Sequence, residues 1–174
     1  MRAAGARFDR WVVVGAAAAL ALSSALSVPA FAKDSLGIFG KWAAFRDADT
    51  PRCYAIARAR PSGVSRANEP YASVGNWPTR KIRGQVYFRL SHDVAANGKV
   101  TLSVSDKTIA LSANGANAWA QNRSGDAAIV AAMRSASRMT VRGTRANGRR
   151  FSDIYDLSGA ATAMDAATVA CARR

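Results

Sequence analysis

Gln85-Val86-Tyr87-Phe88-Arg89-Leu90-Ser91 and, beyond Asn97-Gly98, Val100-Thr101-Leu102-Ser103-Val104-Ser105 decide how the fold is read. Val86, Phe88 and Leu90 alternate with Gln85, Tyr87, Arg89 and Ser91. Val100, Leu102 and Val104 alternate with Thr101, Ser103 and Ser105. A period of two sends successive side chains to opposite faces, as in a strand with one face buried. Asn and Gly both tolerate the positive φ that tight hairpin turns need. The stretch therefore predicts an antiparallel hairpin turning at Asn97-Gly98.

Two further Ala-Asn-Gly triplets place turn signals at Asn114-Gly115 and Asn147-Gly148. Before the latter, Met139 and Val141 alternate with Arg138, Thr140 and Arg142. Phe151 and Tyr155 lie on the returning arm. Strands are also expected at 39–45, 52–58 and 107–112. Ser124 is expected to cap a helix from Asp126 to Ser135, with Ile129, Val130 and Met133 on one face. Ser158 is expected to cap an alanine-rich helix from Gly159 to about Val169, lying on the sheet. Residues 60–83 hold Pro61, Gly63, Pro70, Gly75 and Pro78, and read as loop. Seven or so short strands with one or two short helices predict a mainly β fold. The expected form is a two-sheet antiparallel sandwich, immunoglobulin-like in architecture.

The chain has 174 residues and 25 Lys+Arg against 11 Asp+Glu, a net charge of +14. That length suits one domain with a targeting segment. Arg2, Arg7 and Arg10 precede an apolar run from Trp11 to Leu26, and Ala30-Phe31-Ala32 offers a small-residue cleavage pattern. The run is short for a membrane span, which needs about 20 apolar residues. Residues 1–32 therefore read as a signal peptide and 33–174 as a single β-sandwich domain. No paired Arg-Arg precedes the run and no Cys follows the cleavage site, which points to the general secretory route without a lipid anchor. Removing the segment takes out three Arg and one Asp, so the net charge falls from +14 to +12. The expected location is the periplasm, with the outer surface or secretion as alternatives.

Export makes Cys53 and Cys171 a disulfide pair, since thiols persist in reducing cytosol and pair outside it. The chain-entropy model assigns about 4.7 kcal/mol to a loop of this order. A redox role is disfavoured by the absence of C-x-x-C and by the single His. One His and two Cys also fall short of a closed zinc site. Asp153 and Asp156 lack a D-x-D-x-D-G loop, so no calcium site is expected. No metal and no cofactor is expected.

Several motifs follow one another along the chain: Gly40-Lys41-Trp42, Cys53-Tyr54-Ala55, Ala118-Trp119, Ala132-Met133-Arg134, Met139-Thr140-Val141-Arg142-Gly143 and Asp153-Ile154-Tyr155-Asp156-Leu157-Ser158-Gly159. In order and spacing, from residue 38 to 171, the chain resembles the invasion-associated locus B family of exported bacterial proteins. The resemblance implies an exported, single-domain, β-sandwich-like protein with no established catalytic residues.

Candidates for chemistry are few. His92 adjoins Asp93, but neighbours on a strand face opposite ways, so a strand-end polar pair is favoured over a general base. A Ser-His-Asp triad would need His92, and no G-x-S-x-G elbow accompanies it. Asp153 and Asp156 read as strand-end and helix-cap residues, and Asp47 and Asp49 as turn residues. Trp42 and Trp119 are expected in the core. Trp77 is the candidate contact aromatic, although a fold back onto the sheet is favoured for it. Arg80, Lys81 and Arg83 form one basic cluster, and Arg138, Arg142, Arg149 and Arg150 belong to a second. Arg138 and Arg142 are expected on one strand face. These residues are the candidate anion-binding set. The positive field suits an anionic envelope component, an acidic protein or peripheral contact with a membrane, and no nucleic-acid motif is present. The expected function is therefore non-catalytic binding of anionic envelope or host-surface material. The alternatives are an envelope hydrolase using His92 and a structural or stress-related envelope protein with incidental charge.

Overall fold

A computed structural model describes residues 33–47, 49–63 and 65–172. The expected signal peptide lies outside them. Ten strands and two helices follow in order: β1 Asp34–Phe39, β2 Trp42–Asp47, β3 Arg52–Arg58, β4 Tyr71–Trp77, β5 Ile82–Arg89, β6 Val100–Val104, β7 Lys107–Asn114, β8 Asn117–Ala120, α1 Arg123–Met133, β9 Arg138–Thr144, β10 Arg150–Asp156 and α2 Ala160–Ala172. The mainly β expectation holds.

The strands form one ten-stranded antiparallel sheet, ordered β1-β2-β3-β4-β5-β8-β7-β6-β9-β10, where two sheets were expected. Pairing of β5 with β8, Tyr87 opposite Trp119, joins what would have been separate halves. The sheet curls on itself. The Phe88 ring on β5 lies 5.9 Å from that of Tyr155 on β10. Trp42 Nε1 on β2 donates to the Asp156 carbonyl at 2.8 Å. The segment after β3 runs along the free edge of β10, where Arg60 N donates to Ile154 O at 2.7 Å.

The Asn97-Gly98 hairpin does not form. β5 pairs with β4 and β8, and β6 pairs with β7 and β9. Asn97 does take positive φ, and Gly98 N closes a turn on Ala95 O. That turn lies in a crossing between sheet positions, since alternation reveals a strand's buried face but not its partner. The other two Asn-Gly signals do turn hairpins, β7 to β8 and β9 to β10. The strand expected at 39–45 is instead the β1–β2 hairpin turning at Gly40-Lys41. The loop expected at 60–83 contains β4, whose buried positions are small or polar (Ala72, Val74, Asn76) and gave a weak apolar signal.

α2 packs on β1 to β4 and α1 on β5, β6 and β8. The buried face of α2, Ala160, Ala163, Met164, Ala167 and Cys171, is almost all small. Ala44 and Ala55 are buried on the strands beneath, so helix and sheet approach closely. The Cys53–Cys171 disulfide ties the last turn of α2 to β3. Asn122, rather than Ser124, caps α1: its side chain accepts from Gly125 N at 2.8 Å, and the Ser124 hydroxyl donates to it. Asp126 lies on the sheet side and accepts from Val86 N at 2.8 Å. Burial raises its carboxyl above the usual range, and the Val86 N–H opposes that.

The β1–β2 turn is pressed against the entry to α2. Gly159 has φ +83°, and a Cβ there would lie 1.8 Å from the Phe39 carbonyl oxygen. Gly159→Ala is expected to cost at least about 2 kcal/mol in urea unfolding, because backbone must move as well as adopt a strained φ. Gly148→Ala, with φ +79° but nothing within 4 Å, is expected to cost only the strain of positive φ, about 1 kcal/mol.

Candidate functional site

Arg142 on β9 sits directly opposite Thr101 on β6 and Ser152 on β10. Arg150 sits opposite Thr144. Alternation sends these side chains away from the core, whereas Phe151, Asp153 and Tyr155 point inward. The segment after β3 turns back over this end of the sheet, because Ala67 N and Asn68 N both donate to Ser91 O, at 3.0 and 3.1 Å.

Between that segment and β6, β9 and β10 lies a depression of about 650 Å³. Arg66, Lys99, Arg142, Arg145 and Arg150 line it, together with Ser62, Ser65, Ser91, Ser152 and two threonines. No carboxylate is among the lining residues. The ion pairs among the described residues are Arg46–Asp34, Arg52–Asp47, Arg60–Asp156 and Arg134–Asp165, so none neutralises a pocket cation. Arg142 donates to Ser103 Oγ at 2.9 Å, a neutral acceptor. Arg145 Nε is buried and has no partner among the described residues.

His92 forms part of the wall. Its ring meets Phe151 edge-on at 5.7 Å, and it bonds the Ser65 backbone. Burial, then the Arg145 guanidinium, lowers its pKa below the ordinary 6.5, while Asp153 pulls the other way. Asp93 is exposed and takes no part. The carboxylate near His92 is instead Asp153. It is fully buried and accepts from Ser91 N through Oδ2 at 2.9 Å, while Oδ1 has no partner among the described residues. The strand-end reading of Asp153 is thus corrected to a core carboxylate. The clue was its spacing, two from Phe151 and two from Tyr155 on one face. Asp156 does cap the strand end: Oδ1 accepts from Ser158 N at 3.0 Å and Oδ2 pairs with Arg60 at 2.9 Å. The Ser158 N–H, then Arg60, hold its carboxyl below the usual range.

The lowered His92 pKa fixes a sign. Below about pH 6.5 the unfolded chain binds a proton that the native site resists. Stability therefore rises with pH across that window and falls on acidification. His92→Gln is expected to flatten the slope, checked by urea midpoints measured from about pH 7 down to 5.

The other expected anion-binding residues are scattered. Arg149 lies in the β9–β10 turn, next to the pocket residue Arg150. Arg138 is at the far end of β9, among Ser103, Ser105, Ser135 and Ser137. Arg80 ends a short 3-10 turn, while Lys81 and Arg83 flank a separate cleft beside Cys171. Arg66 and Lys99 were missed as partners of Arg142, because the segment after β3 and the crossing from β5 to β6 bring them there, whereas Arg145 directly follows β9 in the same basic stretch as Arg142. Trp42 is fully buried, as expected. Trp119 is 37% exposed, because Ala118 and Ala120 take the inward positions of β8. Trp77 folds back over Gly75, where a Cβ would lie 2.5 Å from its ring.

Among the described residues, no group of three or more His, Cys, Asp or Glu is placed to hold a metal ion. No helix among them is long and apolar enough to cross a membrane. A disulfide suits an oxidising compartment. The chain matches no known family model, no curated protein and no solved structure.

Proposed function

We propose that this is an exported, non-catalytic envelope or surface protein of the invasion-associated locus B type. Its basic pocket binds the anionic groups of envelope or host-surface material. One observation carries the reading: Arg66, Lys99, Arg142, Arg145 and Arg150 converge on one depression with hydroxyls between them and no lining carboxylate. Guanidinium forks suit phosphate, sulfate and carboxylate oxygens, and hydroxyls add donors. The disulfide and the ordered motifs support the exported setting.

The test is co-sedimentation of the purified protein with lipopolysaccharide and with vesicles of anionic phospholipid, at low and high salt. Binding is expected, and it should weaken as salt screens the cations. Charge-assisted bonds contribute about 1.5–3 kcal/mol each. Arg142→Ala with Arg150→Ala should therefore weaken binding at least about tenfold. Salt-insensitive binding, or full binding by the double variant, would overturn the proposal. The hydrolase alternative requires instead an activity that His92→Ala abolishes.

A further inference from the structure

The other half of the sheet carries a surface of different chemistry. Along β2, β3, β4, β5 and β8, one set of side chains is buried with Ala44, Ala55, Val74, Phe88 and Ala118. The alternate set includes Phe45, Tyr54, Tyr71, Trp77, Tyr87 and Trp119, none of them fully buried. The register places Arg58, Tyr71, Arg89 and Asn117 in one row across four neighbouring strands. Ile56, Ser73, Tyr87 and Trp119 form the next row. Three inter-strand steps make each row about 14 Å long.

The rings are mutually supported. Phe45 and Tyr54 lie 5.7 Å apart, and Tyr71 and Tyr87 lie 5.8 Å apart. The polar groups between them are held in place. Asn117 Oδ1 accepts from the Tyr87 hydroxyl at 2.5 Å and from Arg89 at 3.2 Å. Arg89 also donates to Asn68 Oδ1 at 3.0 Å. Both acceptors are neutral amides, so neither offsets the charge of Arg89. Neither Arg58 nor Arg89 enters an ion pair among the described residues.

We propose that this outer face binds a strand of acidic polysaccharide. Fixed rings stack on the C–H faces of sugars, and the arginines between them meet uronate or sulfate groups. Charge complementarity selects this occupant over an uncharged one: Arg58 and Arg89 flank Tyr71 within a single row. An apolar protein segment would cover the Arg58 and Arg89 charges without supplying an opposite charge, which is costly. None of the arginines and rings of this face lines the basic pocket.

The probe is polygalacturonate, with cellohexaose as a neutral comparison, titrated into the purified protein by calorimetry. Polygalacturonate is expected to bind and cellohexaose to bind at least about tenfold more weakly. Trp119 is the most exposed ring of the face, and an aromatic anchor commonly carries enough binding energy that Trp119→Ala should weaken polygalacturonate binding about tenfold or more. Trp119→Phe, which keeps a ring, should retain most of it. Arg89→Gln should weaken polygalacturonate alone. Arg142→Ala with Arg150→Ala should leave this binding unchanged, which separates it from the pocket reading. Unfolding midpoints accompany each variant, and Trp119, being partly exposed, is expected to tolerate substitution. No binding, equal binding of the neutral glycan, or a loss that follows the pocket variant while Trp119→Ala binds normally would each overturn the proposal.

Discussion

Serine at both Cys53 and Cys171 lowers the unfolding free energy by about 2–5 kcal/mol. The bond joins positions 118 apart in sequence, and the unfolded chain gains most freedom when so long a loop is opened. A second reason is local. The buried face of α2 is built from Ala160, Ala163 and Ala167 with a single Met164. Alanine buries little apolar surface, so packing alone holds this helix weakly. Without the bond, α2 should be the first element to loosen from β1 to β4. Urea unfolding of the oxidised protein against the double variant measures the loss. Hydrogen exchange should show α2 amides opening earlier than those of β5 and β9. Equal stability of the two forms would remove the bond from the account of the fold.

Phe88→Ala is expected to cost about 3–5 kcal/mol. The ring is fully buried on β5 and packs against Tyr155 of β10, an edge strand that is not a neighbour of β5 in the sheet. Its removal opens a cavity between strands that no ladder hydrogen bond connects. Burial holds the Tyr155 phenol well above its ordinary pKa, with Asp153 adding to the effect, so the phenol stays neutral beside that cavity. A double-mutant cycle between Phe88→Ala and Tyr155→Leu tests the contact itself. An aromatic pair contributes about 0.5–1.5 kcal/mol beyond area, so the two losses should fail to add by that amount. Simple additivity would mean that the rings do not meet.

These two contacts mark what was and was not legible in the sequence. Alternation in Val86-Tyr87-Phe88 and Val100-Thr101-Leu102 reported burial faces correctly, since a strand's period is local; in Met139-Thr140-Val141 the two apolar residues are buried as expected, but Thr140 between them is buried too. β3, Arg52–Arg58, fell where expected, and so did the β9–β10 hairpin at Asn147-Gly148. Strand partnership is non-local and left no trace. Nothing in Tyr87 or Trp119 announced that they would face each other and fuse two expected sheets into one. β4 was hidden because Ala72, Gly75 and Asn76 lack the bulk that marks a strand. In the site, Arg142 was recognised from its strand position and Arg150 from the concentration of basic residues around it. Lys99 and Arg66 were not, because only the fold carries them to the same depression. Asp153 was misread as a terminus residue when its face, shared with Phe151 and Tyr155, already pointed inward.

The chain has a single histidine, and it stands in the wall of the basic pocket. Its ring resonances in NMR therefore report on that site without ambiguity. Titrated alone, His92 should show a pKa below the ordinary 6.5. Added inorganic phosphate should raise that pKa, because an anion beside Arg145 offsets the repulsion felt by the imidazolium. The shift should diminish with sodium chloride and vanish in the Arg142→Ala, Arg150→Ala variant. A His92 titration indifferent to phosphate at low salt would contradict the claim that this pocket receives anions.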